Sequence, residues 1–358
     1  MSDVRFWRRR WVRRTMAWTV TTAVLAGAFF WLSGGYESWR NDRALDTACD
    51  GDLAAGAVRE LFGGISLTSS SGWTDRRSCT VSAADYGTDA SLVLWARETR
   101  GLVTLESIGG FDAPLGHNWT GSFRFDPDGK RGDEARAILL LNCGERSGHG
   151  RVMTADAELG RGSFDDPVAR ARLVAVLTET ATAYTRRTGC AAPVGGRVKN
   201  VGVTTTSRDD KPVAAATGSC AGVVDGKTAA RWGVRTVTEI STEPAPMESC
   251  ALGGLRGARL HEFTASYGPA AWLDIFRLDE RRDSTRARTG PNASNDDYAL
   301  TARCPGAGGT ALFQVETLRD DAPGHTALAV DHRELRAALQ RFAERSAKNH
   351  GCEAPRPG

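Results

Sequence analysis

Gly189-Cys190-Ala191-Ala192-Pro193 recurs as Gly351-Cys352-Glu353-Ala354-Pro355. Each copy closes a long run with helical spacing of apolar residues. Each also holds the last cysteine of a set of four. Glycine supplies the left-handed residue that ends a helix, and a proline just beyond prevents continuation. Read outward from these stretches, the eight cysteines divide as Cys49, Cys79, Cys143, Cys190 and Cys220, Cys250, Cys304, Cys352. The offsets between copies are 171, 171, 161 and 162 residues. Only the middle interval has changed length. Such matched spacing marks an internal duplication, and its period is that of a whole domain rather than a solenoid repeat.

The rest of the chain supports this division. At 358 residues it has room for two or three domains, and 41% hydrophobic with 25% charged residues is ordinary globular composition. Net charge is +3, but residues 1–14 hold six arginines and one aspartate, or +5, so the remainder carries −2. A body so near neutrality lacks the electrostatic footprint of a nucleic-acid-binding protein.

An even number of cysteines in two matched sets reads as a disulfide framework. Zinc sites favour local Cys-x-x-Cys pairs, and none occurs. Four cysteines allow three pairings per copy, so counting does not fix them. Geometry favours one. Ala135–Leu141 reads as a strand ending near Cys143, Gly144 to Gly150 as a turn, and Arg151–Leu159 as the returning strand. A helix follows, capped by Asp166, with Pro167 in its first turn and Val168, Leu173, Val176, Leu177 and Tyr184 as its apolar stripe. In the second copy the same plan runs through strands Tyr298–Cys304 and Thr310–Leu318, joined by Pro305–Gly309. Its helix starts at Asp331, with Glu334 placed as in a capping box and Leu335, Leu339 and Phe342 on one face. A strand leading away for roughly 30 Å and a helix of similar length leading back return the last cysteine to the hairpin. That favours Cys143–Cys190 and Cys304–Cys352, and by elimination Cys49–Cys79 and Cys220–Cys250.

The front halves agree less closely. Asp50–Phe62 has Leu53, Ala57, Val58, Leu61 and Phe62 at helical spacing and stops at Gly63-Gly64. Its counterpart is interrupted by Gly222, Gly226 and Gly233, leaving a short helix near Lys227–Trp232 and a blurred strand over Val234–Ile240. Further strands are expected at Ser91–Ala96, Leu102–Leu105, Arg259–Ala265 and Ala271–Leu278. A linker at Pro193–Gly196 is followed by the strand-like Val201–Thr206. The expected fold is α+β, with two tandem antiparallel-sheet units, 37–195 and 196–358, each carrying a long C-terminal helix and two disulfides.

Ahead of the units lie 22 uncharged residues, Thr15 to Tyr36. As a helix they would span roughly 30 Å, the thickness of a bilayer's hydrocarbon core. Residues 1–14 form an arginine-rich tail expected on the cytoplasmic side, which puts the body outside a cell membrane crossed once at 15–36. Five tryptophans (Trp7, Trp11, Trp18, Trp31, Trp39) fall in or beside this segment, as in an interfacial aromatic belt. Ala26-Gly27-Ala28 has the small residues of a signal-peptide cleavage site, but Phe29-Phe30-Trp31-Leu32 continues the apolar run, so an uncleaved signal-anchor is the reading. Ala28 stands where a lipoprotein would carry its cysteine.

Cys49 before the helical Leu53–Phe62, Cys79 opening a strand with Val81, and the Thr15–Tyr36 anchor together resemble uncharacterised exported proteins of actinobacterial cell envelopes. The resemblance covers the front half of each copy. It implies an envelope location and ligand or protein binding, with an envelope protein as the partner besides membrane lipid. It supplies no catalytic residues.

No reactive constellation is legible. The six histidines, His117, His149, His261, His325, His332 and His350, form no His-Glu-x-x-His, and no Gly-x-Ser-x-Gly elbow occurs. Gly160-Arg161-Gly162-Ser163 reads as a loop with a serine. Gly306-Ala307-Gly308-Gly309 precedes a strand rather than a helix, so it is a turn and not a phosphate cradle. Asp126-Pro127-Asp128-Gly129 echoes a calcium loop without the remaining ligands. Arg281, Arg282, Arg286 and Arg288 read as a solvated loop. Asn118-Trp119-Thr120 and Asn292-Ala293-Ser294 fit a glycosylation pattern of little force in a bacterium. What the copies share is cysteines, caps and apolar stripes, while their polar positions differ. The expectation is therefore a membrane-anchored extracytoplasmic binding or interaction protein, without catalytic residues, metal or cofactor. A hydrolase using carboxylates or histidine in one unit, and a structural scaffold, are the alternatives.

Overall fold

The structure, a computed structural model, describes residues 18, 35–69, 72–73, 78–84, 88–98, 109–125, 132–143, 150–192, 194–254, 258–268, 270–272, 274–275, 298–305, 309–317 and 331–357. Helix α1 (Gly35–Thr47) leads through a tight turn into α2 (Ala55–Phe62). Strands β1 (Leu67–Ser69), β2 (Ser78–Ala83), β3 (Ala90–Glu98), β4 (Ala113–Pro114), β5 (Gly121–Phe125), β6 (Glu134–Asn142) and β7 (Gly150–Leu159) then make one sheet, closed by helix α3 (Pro167–Thr188). The second unit comprises β8 (Lys211–Pro212), α4 (Gly226–Arg231), β9 (Thr236–Glu239), β10 (Met247–Gly253), β11 (Arg259–Tyr267), β12 (Tyr298–Arg303), β13 (Thr310–Thr317), α5 (His332–Asn349) and β14 (Arg356–Pro357).

Strand order proves the duplication at the level of topology. The sheets run β1-β2-β3-β7-β6-β5-β4 and β8-β9-β10-β11-β13-β12-β14. Each contains the same antiparallel five, β1-β2-β3-β7-β6 matching β9-β10-β11-β13-β12. Register agrees around the cysteines, where Cys79 faces Leu94 across β2–β3 and Cys250 faces Phe263 across β10–β11, and departs at a bulge after Leu252 in the second sheet. The long helix covers one face of each sheet. Leu173, Val176, Leu177 and Ala181 are buried on α3, and Leu335, Ala338, Leu339 and Ala343 on α5, at one constant spacing. Phe123, Phe125 and Phe164 fill the first core, and Phe263, Phe313 and Phe342 the second.

All four disulfides pair as the hairpin geometry favours: Cys49–Cys79, Cys143–Cys190, Cys220–Cys250 and Cys304–Cys352. Several sequence expectations need correcting. The helix expected over Asp50–Phe62 begins at Ala55, because Cys49 and Asp50 take left-handed backbone (φ 54° and 58°) that turns Cys49 in toward Cys79. Val168 is half-exposed rather than part of the α3 stripe, since it lies in the first turn beyond the sheet. Asp331 caps α5 by accepting from Arg333 N–H, but Glu334 turns away from the cap to Arg231 and Trp232. Residues 270–272 and 274–275 are helical where a strand was expected, and put Ala271 and Ile275 against Leu312 on the back of the second sheet. Val201–Thr206 joins no sheet. Val198 and Val201 enter the first core, Val201 carbonyl accepts from buried Arg170, and Thr205 N–H donates to Phe111 carbonyl, so this segment packs with the first unit.

The units touch through the 109–117 loop and the backs of the sheets. Ser249 N–H donates to Gly110 carbonyl (2.8 Å), Arg259 stacks over the Phe111 ring, and Met247 packs on Ile138 and Val152. No helix among the described residues is long and apolar enough to cross a membrane. Of Thr15–Tyr36, only Trp18 and the first two residues of α1, Gly35 and Tyr36, are among them. The Leu102–Leu105 strand also lies outside the described residues.

Candidate functional site

A recess of about 460 Å³ opens in the first unit where α2 ends and α3 begins. Leu61, Phe62, Gly63, Gly64, Ile65 and Ser66 form one wall. Leu159, Arg161, Gly162 and Ser163 form another, and Asp166, Ala169 and Arg172 of α3 a third. The glycine turn is obligatory, since Gly63 and Gly64 take φ of +55° and +84° and Gly63 caps α2. The lining mixes apolar side chains (Leu61, Phe62, Ile65 and Leu159) with polar ones that include two arginines. Arg161 and Arg172 are exposed, and among the described residues neither is paired with a carboxylate. The Asp166 carboxylate is committed to the α3 cap, accepting from Val168 N–H at 2.9 Å. Ser163 Oγ lies 2.9 Å from Gly132 carbonyl and 3.0 Å from Asp165 Oδ2, with no imidazole beside it. A nucleophilic serine needs a base to take its proton. Ser163 is a loop lock.

At the corresponding corner of the second unit stand Trp232 and Glu334. Trp232 caps α4 and is buried; its Nε1–H donates to Glu334 Oε2 (3.1 Å), and Arg231 reaches Glu334 Oε1 at 2.6 Å. Beneath the indole lies His261, ring centroids 5.3 Å apart, with Nδ1 3.2 Å from Thr317 Oγ1. Burial, which disfavours the imidazolium, lowers the His261 pKa to about 4.

The deepest polar chemistry is elsewhere in the second unit. Glu248 Oε1 meets His350 Nε2 at 2.6 Å, and Ser346 Oγ–H donates to Glu248 Oε2 at 2.5 Å. Ser346 has one proton and gives it to the carboxylate, so Tyr267 O–H is the donor in its 2.5 Å contact with Ser346. The Tyr267 ring also stacks on His350 at 3.4 Å. Burial first, and the Glu248 charge second, hold the phenol well above its ordinary pKa, consistent with a donor that keeps its proton. Histidine, glutamate and serine are all present, but in the wrong order for acyl transfer. The imidazole bonds the carboxylate and not the hydroxyl, so this is not the order of a serine–histidine–acid triad. This network ties the end of α5 to β10 and β11.

Two more buried carboxylates serve as clamps. Asp52 receives Arg187 through both Nε and Nη2 (2.6 Å to Oδ2) together with Trp73 Nε1–H, tying the turn before α2 to the end of α3. Burial opposes ionisation of Glu239, but Lys211 and the N–H groups of Gly218, Thr217 and Cys220 overcome it and hold this carboxyl below its usual range. That clamp fixes the Cys220 loop to β9.

The remaining histidines do not converge. His117 sits in a left-handed turn with Asn118, and His332 lies edge-on to Tyr298. His149, His325, Asp126–Gly129, Arg281–Arg288 and Asn292–Ser294 lie outside the described residues. Among the described residues no group of three or more His, Cys, Asp or Glu could hold a metal. Sequence reasoning missed the recess and the Glu248 network. Aligning the copies through the cysteines would have exposed the first, because it sets Arg172 against Glu334. Compared with known proteins, the chain matches no family model, no curated protein and no solved structure.

Proposed function

We propose that this protein is a single-pass, membrane-anchored component of the cell envelope whose two extracytoplasmic units bind a partner or ligand and catalyse no reaction. One observation carries the reading: two sheets of one topology, each held by two disulfides, keep the frame while their described buried carboxylates differ, Asp52 with Arg187 in the first and Glu248 with His350 in the second. Frames stapled this way belong to oxidising compartments, and all eight cysteines are paired. A retained frame with divergent side chains suits recognition, in which each unit has its own surface. Ser163, Ser249 and Ser346 each contact a carboxylate, but none of them is hydrogen-bonded to an imidazole, which disfavours a serine–histidine hydrolase. The anchor reading rests on the 22 uncharged residues Thr15–Tyr36 behind six arginines.

Protease added to intact cells should digest the units and leave the arginine-rich tail protected. Affinity capture of the full chain from solubilised membranes should recover a specific envelope partner. Digestion only after lysis would refute the topology. Hydrolytic activity that survives Ser163→Ala but is lost with a carboxylate variant would refute the non-enzymatic role.

A further inference from the structure

The duplication allows each corner of one unit to be compared with its twin. On the long helices the buried residues coincide at the offset of the last cysteines, Leu173 with Leu335 and Leu177 with Leu339, which sets Arg172 against Glu334. At the end of the short helix, the cap position sets Gly63 against Trp232, and counting back from the β1–β2 and β9–β10 registers sets Gly64 there. Either way glycine replaces the indole. So the second unit fills this corner with an aromatic ring and a carboxylate of its own. At those two positions the first unit has glycine and arginine, with an open recess of about 460 Å³ beside them whose lining includes buried Phe62 and the cap residue Asp166. It also has the opposite charge at the carboxylate's position, and a second arginine, Arg161, on the facing wall.

We propose that the first unit's recess binds an organic carboxylate carrying a flat aromatic group, the chemistry its twin supplies from its own chain. The carboxylate lies between Arg172 and Arg161, where a guanidinium offers a planar pair of donors. The ring lies over the Gly63-Gly64 turn, against Leu61, Ile65 and Leu159. Backbone glycine leaves the space that a side chain would occupy: a Cβ built on either glycine meets nothing within 4 Å. The volume lies within the usual range for small-ligand pockets. This inference rests on the binding role proposed above and gives that role a ligand class.

The test uses the full chain and indole-3-propionate, with the uncharged indole-3-propanamide as its control, read by saturation-transfer NMR and titration. For so small a probe a dissociation constant on the order of 1 mM is the expected scale. The amide should bind about tenfold more weakly. Arg172→Glu, at an exposed helix position, should weaken the acid about tenfold or abolish binding, and Arg161→Gln should act in the same direction should the first variant fold poorly. Arg333→Glu, on the second unit's helix, should change nothing. Acid and amide binding equally, or acid binding that persists in both Arg172→Glu and Arg161→Gln, would overturn the site. The two proposals fail separately, because probe that is bound but recovered chemically altered refutes the non-enzymatic role alone.

Discussion

His261 gives the sharpest test of the packing in the second unit. It is 2% exposed, beneath Trp232, where its first-unit counterpart is Leu92, also fully buried. Burial sets its folded pKa at about 4, against about 6.5 in an unfolded chain. The sign follows from linkage. The unfolded state binds the proton more readily, so the folded state has its full stability above about pH 6.5 and loses it as pH falls toward 4. One pKa unit is worth about 1.4 kcal/mol, so the loss is about 2 kcal/mol at pH 5 and approaches about 3 kcal/mol near pH 4. His261→Leu installs the residue the first unit uses and removes the proton site. Urea unfolding of both proteins at pH 7.5 and pH 5.0 isolates the effect, because other titrating groups contribute equally to each. The wild type should lose about 2 kcal/mol more than the variant on acidification. Equal losses would refute a neutral, buried imidazole, and with it the packing of Trp232 over His261.

Glu248→Ala strips the acceptor from Ser346 and His350 at once and should cost about 3 kcal/mol in urea unfolding, with Glu248→Gln costing distinctly less. Joint replacement of Cys143 and Cys190 by serine opens a loop of 47 residues and should cost about 4 kcal/mol on the chain-entropy model, with unfolding again followed by circular dichroism. Gly110→Ala would drive a Cβ into Ser249 Oγ and set it 3.1 Å from Ser249 N, against the backbone hydrogen bond from Ser249 N–H to Gly110 carbonyl that joins loop 109–112 to β10. The units should then melt in two calorimetric steps; a single transition at the wild-type temperature would show that this contact does not join them.

The long helices, the hairpins and the disulfide pairs were legible because each rests on a local rule. Apolar residues at helical spacing needed no partner to be read on α3 and α5, and a hairpin followed by a returning helix limits where its cysteine can go. The failures are places where a distant partner decided the outcome. Val201–Thr206 has strand-like composition, but a strand needs a neighbour along its whole length, and this segment meets the first unit at separate points through Val201, Thr204 and Thr205. Asp331 and Glu334 have capping-box spacing, yet Glu334 finds Arg231 and Trp232 more than a hundred residues away. The two-residue strands β4, β8 and β14 are too short to carry any period. The recess was hidden for a different reason. Gly63, Gly64 and Arg172 are each unremarkable alone, and only their twins, Trp232 and Glu334, make their chemistry visible.

That asymmetry bears on how the two copies have divided their work. Trp232 links α4 to the core through His261 and to α5 through Glu334, so in the second unit one side chain ties helix to helix at this corner. The first unit lacks that tie, but it holds α2 at other points: Ala54 N–H donates to Thr180 Oγ1 on α3, and Asp52 binds Arg187 at the far end of the same helix. These contacts lie along α3 away from its first turn, so they fasten α2 without entering the recess. The extra turn at the start of α3, capped by Asp166 and anchored by Arg170 on the carbonyls of Phe164, Asp165 and Val201, builds up the recess wall instead of filling it. A corner left open by the simple loss of a side chain would be expected to collapse or to weaken its surroundings. This one is braced on both sides by the first unit's own contacts, which is what a retained opening requires.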